Sequence, residues 1–289
     1  MHLTLLGSGG DSQTPMPTCD CRVCEPAREK GRPHARLGNS TFVHEADALV
    51  DAPESIWAML NREDVTDVEY IFLSHHHMDH VGGLRVVQAI GRPQYPLEDW
   101  DNEDPATVVM SETTYDRIAE SLDIEAQYDD RGYAEFEFLA DGETMDLGGG
   151  IEVTAVGAPL DPGGPEDAAM GYCFSESDAS VLVFPDETTF LDLDKVPDDL
   201  DLWVKECGYF RETGDGEPIM TDELWTEETD HQTTFDQTLE QVRTVSPDRT
   251  VLTEIEEIYR RRPGEYADLA DEYADLDVEF GHDGMTLEV

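Results

Sequence analysis

The side chains best suited to chemistry lie together in one short internal segment. His75, His77, Asp79 and His80 form an H-x-H-x-D-H arrangement directly after an apolar run. Imidazole and carboxylate groups are ligands that suit zinc, manganese and iron, so the segment predicts a metal site. Alternate side chains of an extended chain share a face, and His75 and His77 should therefore point the same way. A helix at residues 83–90 would turn Asp79 and His80 to another side, so that one loop could serve two adjacent ions.

A solvated histidine tract or a purification tag is the alternative explanation of this segment. A tag stands at a terminus, whereas this segment is internal and is followed by Gly82 and Gly83. Because ligand type, spacing and flanking residues agree, we favour the metal site.

A second group of potential ligands is a cysteine cluster, Cys19, Cys21 and Cys24, with C-x-C-x2-C spacing. Three thiols this close in a cytosolic protein are more typical of metal ligands than of disulfide partners. The spacing predicts a structural zinc site that still needs a fourth ligand, and three free thiols on a loop are the alternative. Cys173 and Cys207 lie inside apolar runs, where we expect small buried hydrophobic residues.

The composition is strongly acidic along the whole sequence. Over 289 residues, 67 acidic residues oppose 18 basic ones, and the formal net charge is −49. Such a balance is typical of disordered chains, but 39% of the residues are hydrophobic and they recur in compact runs, which predicts a folded protein. Dispersed acid with few lysines resembles the proteins of salt-accumulating halophiles, in whose cytoplasm the Debye length would be roughly 3 Å. We therefore expect a salt-dependent cytoplasmic protein.

The same features set expectations about location and partners. The sequence opens without a signal-peptide pattern and has no apolar stretch near the roughly 20 residues of a membrane span, which predicts no membrane insertion. The large negative charge would repel phosphates and argues against broad nucleic-acid binding. A homodimer stays open, because the sequence does not specify the oligomeric state.

One local exception to the acidic composition is the basic stretch at residues 22–36, which carries five of the cations. It is explained either as an ordinary surface loop or as a rim that attracts an anionic substrate. The surface loop is the slightly favoured interpretation.

Short runs rich in β-branched and aromatic residues predict strands at residues 3–6, 40–43, 48–51, 70–73, 107–110, 134–139, 151–156, 171–174, 180–184, 202–204 and 250–253. Capping residues and apolar periodicity predict helices at residues 54–60, 83–90, 113–121 behind a Ser111 cap, 234–245 and 265–273. Strands followed by mixed strands and helices suit two β-sheets with outer helices. We expect one domain over residues 1–289, with a Cys-rich insertion near 19–36.

Five motifs occur in order: Leu5-Leu-Gly-Ser-Gly-Gly10, the cysteine cluster, Leu49-Val-Asp-Ala52, the histidine segment and Asp283-Gly-Met285. Together they resemble the phosphodiesterase branch of the metallo-β-lactamase superfamily, which includes the cyclic phosphodiesterase of the carbon–phosphorus lyase pathway. The resemblance covers nearly the whole chain and implies an αββα sandwich, in which two mixed β-sheets with outer helices hold metals at their edges. It also implies two divalent ions in the active site (manganese, zinc or iron) and one structural zinc.

The resemblance also implies roles for the histidine segment. It assigns His75 and His77 to a first metal, Asp79 and His80 to a second, and Asp186 to both as a bridging ligand. The alternative for Asp186 is an ordinary aspartate at the beginning of a turn.

Several family histidines are replaced in this sequence. Leu160 stands at or next to one of them, where the neighbouring Asp161 either substitutes as a ligand or is a plain loop acid. Glu254 stands at an active-site position, and Glu257 at the position that completes the structural zinc. His231 matches a histidine near the substrate phosphate, and the alternative is a surface residue at a helix entrance.

These observations predict a metal-dependent hydrolase of a small or cyclic phosphodiester. A metal-activated hydroxide would attack phosphorus, and Asp79 or His231 would handle the proton of the leaving group. The added carboxylates should shift metal preference from zinc towards manganese, magnesium or iron. A metal-binding or regulatory relative with a degenerate site is the alternative. The tRNA 3′-end endonuclease branch, a lactonase and a thioesterase also stay open, because these chemistries share fold and metal site.

Overall fold

The computed structural model describes residues 1–91, 104–160, 167–177 and 179–289. Within these ranges the chain forms two mixed β-sheets of seven strands each, packed face to face with helices outside them. This arrangement confirms the αββα sandwich that the motifs imply.

The first sheet is antiparallel at one side and parallel at the other. Its strands, in spatial order, are β14 (Met285–Glu288), β1 (His2–Gly7), β2 (Ser40–Val43), β3 (Ala48–Val50), β4 (Tyr70–Phe72), β5 (Ala106–Met110) and β6 (Ala134–Phe138). The strands from β14 to β3 are antiparallel neighbours, and those from β3 to β6 are parallel.

The second sheet repeats this division. Its order is β13 (Val278–Phe280), β12 (Arg249–Thr253), β11 (Leu202–Glu206), β10 (Ala179–Phe184), β9 (Ala168–Glu176), β8 (Ile151–Pro159) and β7 (Thr144–Gly148). The strands from β13 to β10 are parallel, and those from β10 to β7 are antiparallel.

Alternating side chains on the strands divide the core into layers. In β4, Ile71 faces the outer helices, whereas Phe72 enters the core between the sheets. The Phe72 ring lies 4.9 Å from that of Tyr172 and 5.5 Å from that of Phe174 on the opposite sheet. The Tyr172 hydroxyl donates a hydrogen bond of 2.7 Å to the carbonyl oxygen of Leu73. The second sheet therefore fixes the chain just before the histidine segment.

The described helices are α1 (Cys24–Lys30), α2 (Ile56–Arg62), α3 (Met78–Val81), α4 (Glu112–Leu122), α5 (Asp222–Glu228), α6 (Phe235–Val245) and α7 (Pro263–Glu272). Helices α2 and α4 pack on the first sheet, and α6 and α7 on the second. The predicted Ser111 cap is confirmed, because its side chain accepts a hydrogen bond from the Thr114 amide. None of the described helices is both long and apolar enough to span a membrane.

The helix predicted at residues 83–90 is confirmed in position but not in kind, because Leu84–Gln88 form a 3-10 helix. A separate helix, α3, begins earlier, at Met78, and contains Asp79 and His80, so α3 itself turns these two side chains. Gly83 lies between the two helices and packs closely on Pro53, since a Cβ there would stand 2.0 Å from the carbonyl oxygen of Pro53. Helices α1, α3 and α5 and strands β7, β13 and β14 are not among the predicted elements.

A buried lysine joins the second sheet to α6. Lys205 of β11 is fully buried, and its Nζ donates to Gln241 Oε1 at 2.7 Å and to Thr188 Oγ1 at 3.1 Å. The ammonium also lies 5.1 Å from the centroid of the Trp203 ring. Burial lowers the pKa of Lys205 from 10.5 to about 8, against the opposing effect of Glu206.

This pKa predicts how stability changes with pH. Between about pH 8 and the ordinary lysine pKa of 10.5, the unfolded chain binds a proton that the folded chain does not, so the folded state gains stability as pH rises. From about pH 7 to about pH 10, the free energy of unfolding of the wild type should rise by roughly 2–3 kcal/mol relative to Lys205→Met. Denaturant titrations at both pH values measure this difference, with Lys195→Met, which removes an exposed lysine, as the control. A constant difference between wild type and Lys205→Met would show that Lys205 is not perturbed.

Candidate metal centre

The predicted ligands follow strands whose carboxyl ends meet at one edge of the sandwich. Strands β3, β4 and β5 run parallel in the first sheet, as β10, β11 and β12 do in the second. The histidine segment follows β4, Asp186 follows β10, and Glu254 follows β12. The topology therefore brings residues far apart in sequence to the same edge.

Two groups of ligand atoms face each other at this edge, and within each group all the atoms lie within 4.8 Å of one another. The first group is His75, His77, Asp186 and Glu187. The second group is Asp79, His80 and Glu254. The division of the histidine segment between two groups is the one expected from its spacing.

Asp186 lies between the groups. Its Oδ2 is 3.8 Å from His75 Nε2 and 3.7 Å from His80 Nε2. Both nitrogens are buried and lack a well-aligned hydrogen bond within the described part of the chain, and His80 Nε2 also lies 3.2 Å from Asp79 Oδ2. Two ligand atoms on one ion, each about 2.0–2.2 Å from it, stand about 3.0–3.5 Å apart, so small movements would suffice. The donor types and the two buried nitrogens fit a pair of divalent ions that share Asp186.

Asp51 orients the second group through the Nδ1 atom of His80. This carboxylate is fully buried, and its Oδ2 lies 2.7 Å from His80 Nδ1. Its Oδ1 accepts from the Ser74 amide at 2.7 Å, and Ser74 Oγ lies 3.0 Å from His75 Nδ1. A carboxylate on Nδ1 keeps the proton there, which leaves Nε2 of His80 as the metal-binding atom.

Asn39 and Gly10 place the carboxylate of Glu254. Asn39 Nδ2 donates to Glu254 Oε2 at 2.8 Å, which leaves Oε1 for a ligand. A Cβ on Gly10 would stand 2.5 Å from Glu254 Oε1 and 2.3 Å from Glu256 Oε1. The glycine run at residues 7–10 therefore leaves room for two carboxylates.

Sequence reasoning missed Glu187 as a potential ligand. Its Oε1 lies 3.8 Å from His77 Nδ1 and accepts from Gln232 Nε2 at 3.3 Å. Glu187 has a φ of +63°, and Asp51 and Glu254 have φ values of +62° and +57°. No sequence pattern marks the turn that points Glu187 inward.

The crowding of carboxylates raises their pKa values. Burial raises the pKa of Asp186 to about 7, with Glu206 adding to the effect. Burial raises the pKa of Glu187 to about 8, and Asp186 and Glu206 add to it. Burial and then Asp186 raise the pKa of Glu254 well above its ordinary value. Cations at this edge would relieve the repulsion.

The pKa values of His75 and His80 shift in opposite directions. Burial lowers the pKa of His75 well below its ordinary value, with His80 and His77 adding, and this favours the neutral ring that binds metals. Burial also lowers the pKa of His80, but the carboxylates of Asp51, Asp186 and Asp79 outweigh it and hold that pKa well above its ordinary value. His80 therefore lies where positive charge is most favoured.

A cavity of about 460 Å³ opens onto the centre. Its wall includes His76, His77, Met78, Gly208, Tyr209, Gln232 and Tyr259, together with Asp11, Asp79, Asp186, Glu187, Glu206, Glu254 and Glu256. A small molecule in this cavity would contact both ligand groups.

Comparison with known proteins identifies the family and the fold of the chain. The family model of the β-lactamase superfamily domain matches residues 46–255, which is most of the chain. The chain belongs to this superfamily. Its two-sheet sandwich is the metallo-β-lactamase fold, whose members are mostly metal-dependent hydrolases. None of the curated proteins compared with the sequence gives a match.

Solved structures of the superfamily resemble the chain over its full length. A diphosphatase of the PhnP family is 19% identical with a TM-score of 0.72, covering all of this chain and 96% of its own. Zinc-bound PqqB from Methylobacterium extorquens is 16% identical with a TM-score of 0.70, and both chains are covered completely. The short form of human tRNase Z is 14% identical with a TM-score of 0.63, covering all of this chain and 99% of its own. At these identities the likeness shows the shared fold alone.

Two further predicted site residues are Asp161 and His231. Asp161 lies outside the described residues. His231 is exposed, and its carbonyl oxygen accepts from Thr189 Oγ1 at 2.9 Å. The neighbouring Gln232, and not His231, belongs to the wall of the cavity. A catalytic role for His231 stays a prediction.

The basic stretch at residues 22–36 does not line the cavity in the part of the chain that the structure describes. Arg22 pairs with Asp215 at 3.1 Å and with Glu265 at 2.8 Å. Arg36 is buried and donates to Ser8 Oγ at 2.7 Å. These contacts favour a structural loop over a rim for anionic substrates.

The cysteine cluster lies around the carboxylate that was expected to complete it. Oε1 of Glu257 is 2.8 Å from Cys21 Sγ, 3.0 Å from Cys24 Sγ and 3.5 Å from Cys19 Sγ. Sulfur and oxygen ligands of one tetrahedral zinc stand about 3.5 Å apart, so the four side chains fit such an ion after a slight expansion. Burial and then Glu257 raise the pKa values of Cys21 and Cys24, which favours the protonated thiols until a metal replaces the protons.

The position of Asp51 predicts the effect of its substitution. Asp51→Asn should weaken the binding of one divalent ion by roughly 10–100-fold, because an amide no longer fixes the proton on Nδ1 of His80. Isothermal titration of manganese into metal-stripped protein measures this loss. Asp47→Asn is a matched control, since Asp47 also has a left-handed backbone (φ of +43°) but lies at the other end of β3. Equal affinities of Asp51→Asn and the wild type would contradict a supporting role for Asp51.

Proposed function

We propose that the chain is a metal-dependent phosphodiesterase that acts on a small phosphodiester. The observation that supports this proposal most strongly is the carboxylate of Asp186, which stands between the buried Nε2 atoms of His75 and His80. Two divalent ions at such a distance from one shared carboxylate are the arrangement used for displacement at phosphorus. The resemblance of the five sequence motifs to the phosphodiesterase branch supports the same reaction.

The proposed ligand set divides along the two groups. His75, His77 and Glu187 would hold one ion, with Asp161 as a further expected ligand. Asp79, His80 and Glu254 would hold the other ion, and Asp186 would bridge the two. We propose the cluster of Cys19, Cys21, Cys24 and Glu257 as a structural zinc site.

When bound, two divalent ions lower the pKa of water and neutralise charge on the phosphoryl oxygens. Other residues of the chain would hold the ligands of these ions in place. Asp51 and Asn39 keep His80 and Glu254 in place. Asp79 belongs to the cavity wall, and we propose its carboxylate as the group that moves the proton towards the leaving oxygen. The high proportion of carboxylate ligands favours manganese, magnesium or iron over zinc at this centre.

Metal content and activity test the proposed function together. Mass spectrometry of protein purified in high salt should find about one zinc and about two other divalent ions per chain. The same preparation should hydrolyse bis(p-nitrophenyl) phosphate, and cyclic phosphates serve as further substrates. About one zinc, no second metal and no hydrolysis would contradict the proposal and would favour the metal-binding or regulatory alternative.

Substitutions of Glu254 sharpen this test. Glu254→Gln should remove one ion and most of the activity, because the amide is a weaker ligand for a hard cation. Glu254→His restores the imidazole that the family has at this position and should shift metal preference towards zinc. Glu227→Gln, on the exposed part of α5, is the matched control for the loss of a carboxylate.

A further inference from the structure

The charge of the cavity wall is unusual for a site that binds a phosphate ester. Seven carboxylates line it, and none of its described lining residues is a lysine or an arginine. Four of the seven belong to the ligand groups, and Asp11, Glu206 and Glu256 do not. The proposed metal centre therefore does not account for these three carboxylates.

The three surplus carboxylates, those outside the ligand groups, differ in their exposure and contacts. Asp11 is exposed at the cavity, and Glu256 is nearly buried, with Oε2 accepting from the Ser12 amide at 2.8 Å. Neither belongs to a ligand group. Glu206 is different, because its Oε1 accepts from the amide of Thr188 at 2.5 Å and also from the hydroxyl of that residue.

Two tyrosines form an aromatic corner beside these carboxylates. The rings of Tyr209 and Tyr259 have centroids 6.1 Å apart and are inclined at 78°. Tyr259 is only 1% exposed and still belongs to the cavity wall. Among the described residues, neither hydroxyl has a hydrogen-bond partner. Both hydroxyls are therefore available to a ligand group that can form a hydrogen bond.

We propose that the substrate carries an ammonium group, so that it is a zwitterionic phosphodiester of the choline or ethanolamine class. This inference rests on the proposed phosphodiesterase function. The partly exposed ring of Tyr209 attracts a desolvated cation, and Asp11 and Glu256 supply the opposite charge. The phosphate is held at the metal centre, and the ammonium group lies in the aromatic corner. The same wall repels polyanionic esters, which have no group to place against the surplus carboxylates.

Binding of a matched pair of ligands tests the inference without turnover. Phosphocholine and 3,3-dimethylbutyl phosphate have nearly the same shape, but a neutral carbon replaces the quaternary nitrogen in the second. Calorimetric titration into manganese-loaded protein, at one fixed salt concentration, should give about tenfold tighter binding of phosphocholine. Equal affinities, or tighter binding of the neutral ligand, would overturn the inference.

Variants of the cavity wall test which residues cause the preference for phosphocholine. Tyr209→Leu removes an aromatic face and should abolish most of the preference, whereas Tyr209→Phe keeps the face and should retain it. Asp11→Asn should reduce the preference, and Asp198→Asn, an exposed aspartate away from the cavity wall, is the control. A preference that survives Tyr209→Leu and Asp11→Asn unchanged would overturn the assignment to this corner.

Hydrolysis separates the inference from the proposed function. The p-nitrophenyl esters of the same two ligands are phosphodiesters, and release of p-nitrophenol should be faster from the choline ester at low substrate concentration. Equal rates for both esters would leave the phosphodiesterase intact and overturn the ammonium preference. Tighter binding of phosphocholine with no hydrolysis of either ester would support the ammonium site and contradict the proposed reaction.

Discussion

Carboxylates from both sheets converge on one buried edge of the sandwich, where like charges cannot remain together without cations. Burial and mutual repulsion raise the pKa values of Asp186, Glu187 and Glu254, while the same carboxylates hold the pKa of His80 high. The parallel strand ends, the left-handed turns and the hydrogen bonds from Asn39 and Ser74 all serve to keep these groups close. Divalent ions are the partners that would make such crowding stable.

One short segment connects the metal centre with the cysteine cluster. Glu254 belongs to a ligand group, Glu256 to the cavity wall and Glu257 to the cysteines. The backbone of this segment is tied to the glycine-rich stretch, because the Ile255 amide donates to Ser8 at 3.0 Å and the Glu257 amide donates to Ser12 at 2.9 Å. A zinc ion in the cysteine cluster would therefore also fix the backbone that directs Glu254.

Much of this arrangement could be predicted from the sequence, because the types of the ligands and their spacing are visible without the tertiary structure. The division of the histidine segment into two pairs and the strands around it follow from local patterns, and the family resemblance implied the place of Glu257 beside the cysteines. Other features depend on contacts between distant residues. Strands β13 and β14 are three and four residues long and form only by pairing with β12 and β1. Glu187 enters the site through a left-handed turn that no pattern marks, and the helix predicted at residues 83–90 forms as a 3-10 helix over residues 84–88.

The central claim is that Asp186 is shared by two divalent ions, and anomalous diffraction from crystals of the manganese-loaded protein tests it most directly. Data on either side of the manganese edge should show two peaks about 3.5–4 Å apart on the two sides of the Asp186 carboxylate. Data at the zinc edge should show a separate peak among Cys19, Cys21, Cys24 and Glu257. A zinc peak at the cysteines with no manganese peak beside Asp186 would contradict the account.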